Sequence, residues 1–307
     1  MCTLEKRGSL YILTLTGAGD EHRLNPALIA AIRSCLSQIK SEISRSKSPP
    51  PAALITTAEG KFFSDGYDVK FADSSPSPLQ TKIYMDAQLR ALVSDLVSLP
   101  MPTIAAVTGH ASAAGFILAI AHDCVVMRRE RGFLYMSELD IGLVIPEWFV
   151  KMVNAKIGSP AARRAVMMRA AKVTAQMGRE MGVVDVVAEG EKGTVEAAVK
   201  GAEELLKKGS NGEVYGENRK VFLKEVLEVI GAVDGVELDG RIRLKKAATV
   251  LMNRKLITVS IQSANFSGVF LALQNKIRGR MVDHGPLNGK WSQERVPSMF
   301  LVAVSGL

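Results

Sequence analysis

Between residues 10 and 229, short apolar runs alternate with longer stretches whose apolar residues recur every three or four positions. Leu10–Leu15 and Ala52–Thr57 are such runs, with turn formers outside them, and read as strands. Between them, Asn25-Pro26 reads as a helix N-cap followed by proline at the first helical position, and Leu28, Ile29, Ile32, Leu36, Ile39 and Ile43 follow at helical spacing. Ser44–Pro51 is a Ser/Pro-rich connector, and Ser74–Pro78 is a second flexible stretch. Ile83, Leu89, Leu92, Val93 and Leu96 mark the next helix, which Pro100-Met-Pro102 stops. Thr103–Thr108, Cys124–Met127, Phe133–Met136 and Val183–Val187 are further candidate strands. Phe116–Ala121, Val195–Lys207 and Asn218–Val229 read as helices, and Pro146, Ser159-Pro160 and Thr174 each open another. This alternation requires strands joined by crossovers, so an α/β fold is expected rather than a sandwich.

Composition narrows the class. The 307 residues are 47% hydrophobic and 23% charged, enough apolar material for a full core. No stretch approaches the roughly 20 uninterrupted apolar residues of a membrane helix, so no membrane span is expected. Cys2, Cys35 and Cys124 lack the close spacing of a disulfide framework or a zinc site, and no Asp/Glu/His cluster has metal spacing. The formal charge of +8 invites a nucleic-acid reading, but residues 241–307 hold 11 of the 39 basic residues and only 2 of the 31 acidic ones. The first 240 residues are therefore close to neutral, and no aromatic platform accompanies the basic tail, so nucleic acid is set aside. Residues 233–307 have apolar segments at Ala247–Ile261 and Gly268–Leu273 but few caps, and are read as a basic tail rather than a second functional domain. Residues 1–232 form the catalytic domain in this reading.

Three pieces carry the chemistry. Gly60-Lys-Phe-Phe-Ser-Asp-Gly-Tyr-Asp-Val-Lys70 follows a strand, and its Asp65-Gly66 pair can turn a backbone N–H outward. Gly109-His-Ala-Ser-Ala-Ala-Gly115 leads from a strand end into a helix, where first-turn N–H groups have no internal partners. Two such amides converging on one point form an oxyanion hole. Ser137-Glu-Leu-Asp-Ile-Gly142 supplies a carboxylate after the strand at Phe133–Met136.

In order and spacing, Phe63-Ser-Asp-Gly-Tyr-Asp68, then Ala105-Ala-Val-Thr-Gly-His-Ala-Ser-Ala-Ala-Gly115, then Ser137–Gly142 resemble the crotonase (enoyl-CoA hydratase/isomerase) family, most of all its plant peroxisomal delta(3)-delta(2)-enoyl-CoA isomerase branch. The resemblance spans about residues 5–232. It implies a crotonase-like (ClpP/crotonase) spiral of ββα units with a C-terminal helical region that joins a homotrimer or hexamer. It also implies backbone oxyanion donors at Asp65 and Ala114, and contacts to an acyl-CoA thioester from Ser64, Gly66 and Gly115. No cofactor is implied, coenzyme A being part of the substrate. Lys61 and Lys70 flank the first motif and either meet the phosphates of the CoA arm or stay solvated.

The carboxylates choose the reaction. Hydratases of the family use two glutamates; the first position falls here on Ile117 and the second on Glu138. One carboxylate suits a reaction that only moves a proton, from C2 of a 3-enoyl-CoA to C4, giving the trans-2-enoyl-CoA of fatty-acid β-oxidation. A hydratase or another crotonase reaction is the alternative, and an inert acyl-CoA-binding subunit is the alternative of a different class. Met136, Leu139, Ile141 and Leu143 are expected to surround Glu138 and raise its pKa. Glu147 reads as a pocket-rim residue, and His110 and His122 as packed or surface histidines. Ser64 and Ser112 lack a paired histidine, so a serine hydrolase is disfavoured. Two departures stand out. Asp65 puts a carboxylate where relatives are small or Asn, so its side chain should turn away from the oxyanion. Ala113-Ala114 stands in place of glycines. The branch implies a peroxisome, with cytoplasm the alternative, because Val304-Ser-Gly-Leu307 lacks the basic residue of a Ser-Lys-Leu signal.

Overall fold

The computed structural model describes residues 1–232 apart from Ala18, Asp20, 46–49 and 209–210. The expectations for the tail at 233–307 lie outside the described residues, as does most of the Ser44–Pro51 connector.

A six-stranded sheet has the order β1-β2-β3-β5-β7-β9, formed by β1 (Cys2–Arg7), β2 (Leu10–Leu15), β3 (Ala53–Ala58), β5 (Thr103–Val107), β7 (Cys124–Arg128) and β9 (Val186–Ala188). β1 and β2 are antiparallel, and every other pair is parallel. A second, parallel sheet has the order β4-β6-β8, from β4 (Phe62–Ser64), β6 (His110–Ser112) and β8 (Leu134–Tyr135). The chain repeats one move: β3, β5 and β7 lie in the large sheet, and β4, β6 and β8, which follow them, lie in the small one. A helical segment comes after each pair: α2 (Val69–Asp73) with α3 (Pro78–Val97), then α4 (Ala114–Ile120), then α5 (Glu147–Lys156). These are the expected ββα units.

β3 and β5 are buried at every position, because both faces of the large sheet are covered. Leu54, Ala105 and Val107 join one core with α1 (Pro26–Ser44), α3 and α4. Ile55, Ile104 and Ala106 face the other way, against Ala198 and Ala202 of α8 (Gly190–Lys207). The caps follow the sequence signals. Asn25 accepts from the Leu28 N–H, Ser159 from Ala162 at the start of α6 (Pro160–Arg169), and Thr174 from Met177 at the start of α7 (Ala175–Met181).

Several expectations are corrected. Val183 and Val184 are buried but not in a strand: both amides donate to Gly178 O, closing the turn after α7, and β9 begins at Val186. The helical pattern at 218–229 is two helices, α9 (Gly212–Phe222) and α10 (Lys224–Gly231), meeting at Leu223. Cys2 and Cys35 are far apart in sequence, yet as free thiols their Sγ atoms lie 3.9 Å apart across β1 and α1. Among the described residues, no helix is long and apolar enough to cross a membrane.

Candidate functional site

The three short strands of the small sheet run parallel, so their C-terminal ends share an edge. Asp65 follows β4, Ala114 comes two residues after β6, and Glu138 three residues after β8. The sheet thus brings the three motifs together.

Two glycines allow the first two motifs to touch. A Cβ on Gly66, whose φ is +76°, would lie 2.9 Å from Ser112 O and 3.4 Å from Ala114 N. A Cβ on Gly115 would lie 2.2 Å from Ser64 O. Any side chain at either position would force the backbones apart. Both glycines, expected to meet substrate, are buried contacts between the motifs. Ala114 opens α4, so its N–H is a first-turn amide with no partner inside the helix. Ala113 turns the chain into that helix with φ +48° and ψ −118°, a conformation that strains any residue bearing a Cβ. Ala113→Gly is expected to raise stability by about 1 kcal/mol, seen as a melting temperature higher by roughly 2–4 °C. An unchanged or lower melting point would show that the turn is not strained.

Asp65 is less simple. Its N–H donates to Glu21 O at 2.9 Å, so the expected oxyanion donor is engaged by protein. This bond belongs to a series between residues 21–24 and 64–68. The Ser64 hydroxyl donates to His22 O at 2.8 Å, Leu24 N to Gly66 O at 2.7 Å, and Asp68 N to Leu24 O at 3.3 Å. Glu21 and His22 both have positive φ, 55° and 46°, so this segment is held in a strained form. Ser64 is fully buried, its hydroxyl donating to His22 O and accepting from Gly66 N. The Asp65 carboxylate is held by Arg23, Nη2 to Oδ2 at 2.6 Å, and Arg23 also reaches Glu21 Oε2 at 2.7 Å. Burial pushes the Asp65 carboxyl above its ordinary range, and the Arg23 guanidinium opposes that shift.

Glu138 is buried, 6% exposed, and the hydroxyl of the preceding residue, Ser137, pairs with that of Ser112 at 3.4 Å. Its expected apolar surroundings are corrected: Met136 is buried, but Leu139, Ile141 and Leu143 are 52%, 58% and 43% exposed. The cause is a tight turn. Ile141 N donates to Ser137 O, Leu143 N donates to Glu138 O, and Gly142 supplies a φ of +66°, leaving those side chains on the outside. Ile117 lies fully buried in α4. Glu147 is exposed at the start of α5.

The lysines are not brought together. Lys61 lines a cavity of about 180 Å³ with Glu21, His22, Glu59 and Phe62. Lys70 lines an open groove of about 620 Å³ with Asp68, Phe71 and Ser74 to Pro76. His110 packs between the Phe62 and Phe133 rings, at 5.1 and 5.4 Å. His122 is buried, bonded to Leu118 O and Thr56 Oγ1, and burial pushes it down to about 4. Sequence reasoning missed Glu21 and Arg23. A charged pair ahead of the Asn25 cap carries no sign of a partner some forty residues on.

A family model described as enoyl-CoA hydratase/isomerase matches residues 24–215. The chain is 60% identical over 227 residues to the peroxisomal enoyl-CoA delta isomerase 1 of Arabidopsis thaliana, covering 74% of this chain and 91% of the relative. It is 47% identical over 235 residues to that plant's peroxisomal enoyl-CoA delta isomerase 2, covering 75% of this chain and 95% of the relative. Its fold matches the crystal structure of a probable enoyl-CoA hydratase from Mycobacterium tuberculosis with a TM-score of 0.68, at 22% identity, over 82% of this chain and 98% of that one.

Proposed function

The chain belongs to the enoyl-CoA hydratase/isomerase family, and on that premise we propose that it is an enoyl-CoA delta isomerase of fatty-acid β-oxidation, converting 3-enoyl-CoA to trans-2-enoyl-CoA. One observation carries the reading: the small sheet gathers two backbone turns and one buried carboxylate, Glu138, at one edge, while the position of a hydratase's other glutamate is a buried isoleucine, Ile117. The 60% and 47% identities to enoyl-CoA delta isomerases support it.

In this mechanism Glu138 takes the proton from C2 and returns it at C4. Removing that proton puts negative charge on the thioester oxygen, which the Ala114 N–H meets. Asp65 supplies a second N–H when the thioester oxygen replaces the Glu21 carbonyl there. An amide donor so placed typically contributes about 3 kcal/mol to the transition state. The substrate is an acyl-CoA thioester, and the reaction needs no further cofactor. The exposed Val214, Val221 and Phe222 of α9 support assembly as a homotrimer or hexamer. The peroxisomal names of the two Arabidopsis relatives support the same compartment for this chain, with cytoplasm the alternative.

The test is the rise in absorbance of the conjugated thioester when purified protein meets a 3-enoyl-CoA. Conversion is expected, with little addition of water to a 2-enoyl-CoA. Hydration without isomerisation would make the protein a hydratase. Tight thioester binding with no turnover would make it an inert binding subunit, the reading that the engaged Asp65 amide favours.

A further inference from the structure

The isomerase reading, on which this inference rests, leaves an electrostatic difficulty at Asp65. An amide donor there brings its own carboxylate, which covalent geometry keeps within a few ångströms of any atom the amide binds. An enolate oxygen at that point is a second negative charge beside the first, and repulsion opposes the charge that the transition state must develop. The structure contains an answer. Arg23 Nη2 lies 2.6 Å from Asp65 Oδ2, with the two side chains only 29% and 17% exposed, so solvent screens the pair weakly. Among the described residues, Arg23 is the strongest charge acting on Asp65; Glu21 opposes it and Lys61 assists it. The backbone beside Arg23 is fastened on both sides: His22 O accepts the Ser64 hydroxyl, and Leu24 N donates to Gly66 O. The guanidinium is therefore carried on the same segment that borders the proposed oxyanion hole.

We propose that Arg23 is a positioning residue that neutralises Asp65, allowing an oxyanion hole built around a carboxylate to accept negative charge. The bound thioester is neutral and the transition state is anionic, so loss of Arg23 falls on kcat and leaves KM nearly unchanged. The effect exists only while Asp65 is charged.

Steady-state kinetics with a 3-enoyl-CoA test this for Arg23→Met, each measurement repeated in an Asp65→Asn background. Arg23→Met is expected to lower kcat by about 10- to 100-fold with KM within about threefold. In the Asp65→Asn background the same change should alter kcat by less than about threefold, since no carboxylate remains to be neutralised. Arg23→Lys, which keeps the charge, should recover most of the loss. Should Arg23→Met not fold, Arg23→Gln loses the charge while keeping polar atoms, and carries the same comparison. Equal losses in both backgrounds, or a loss confined to KM, overturn the proposal while leaving the isomerase reading intact. A wild-type protein without turnover overturns both together.

Discussion

Glu138→Gln is expected to lower the rate of 3-enoyl-CoA isomerisation by about 10²–10⁴-fold, the usual contribution of a positioned acid–base group. The amide has nearly the shape of the carboxylate, so the buried site stays filled, but it cannot accept the proton from C2. Thioester binding should persist, because most of it comes from contacts made equally by substrate and transition state. The loss is therefore expected in kcat, measured by absorbance of the conjugated product, with the melting curve little changed. Glu147→Gln is the paired measurement. That residue is exposed at the start of α5, and its variant is expected to stay within a few-fold of wild type. If Glu138→Gln keeps most of the activity, or if the large loss falls on Glu147, the proton shuttle has been assigned to the wrong carboxylate.

What the sequence revealed of this site follows from which physical signals are local. β3 and β5 are covered on both faces, so they read as unbroken apolar runs, and caps such as Asn25 and Thr174 act within four residues of themselves. Such features are legible one segment at a time. β1 is not, because as an edge strand it exposes Glu5, Lys6 and Arg7 and has no apolar pattern to show. β4 and β6 have three residues each, too few for any periodicity, although they position the candidate site. Asp65, Ala114 and Glu138 stand out as candidates only through the order of three motifs. The Arg23–Asp65 pair and the Glu21 carbonyl on the Asp65 amide depend on how residues 21–24 approach 64–68, which no local pattern encodes. The surroundings of Glu138 were misread for a related reason. Apolar residues around a carboxylate suggest burial, but a turn at Gly142 leaves them facing solvent.

Arg219→Met is expected to destabilise the protein by about 3–5 kcal/mol, the range for breaking a buried ion pair from one side. Arg219 of α9 is 5% exposed, and its guanidinium uses all of its faces. Nε and Nη2 donate to the two carboxylate oxygens of Asp123 at 2.6 and 2.5 Å. Nη1 donates to Val97 O at 3.1 Å and Leu99 O at 2.9 Å, and Nη2 also meets Met101 O. Those carbonyls lie where α3 ends and the chain turns into β5, so one side chain fastens α9 to the crossover between two ββα units. Asp123 is fixed in turn by the Thr103 amide at 2.8 Å and hydroxyl at 3.0 Å. Methionine fills a similar volume but leaves a largely buried carboxylate without its cation and three carbonyls without their donor. Lysine keeps a charge but cannot span Asp123 and the three carbonyls with one ammonium, so Arg219→Lys should fall between wild type and Arg219→Met. The melting temperature of Arg219→Met is expected to fall by about 10 °C. Adding Asp123→Asn should recover part of the loss by removing the stranded charge. A shift of less than about 1 kcal/mol for Arg219→Met would mean that the pair behaves like a surface salt bridge and that α9 is held by its apolar contacts alone.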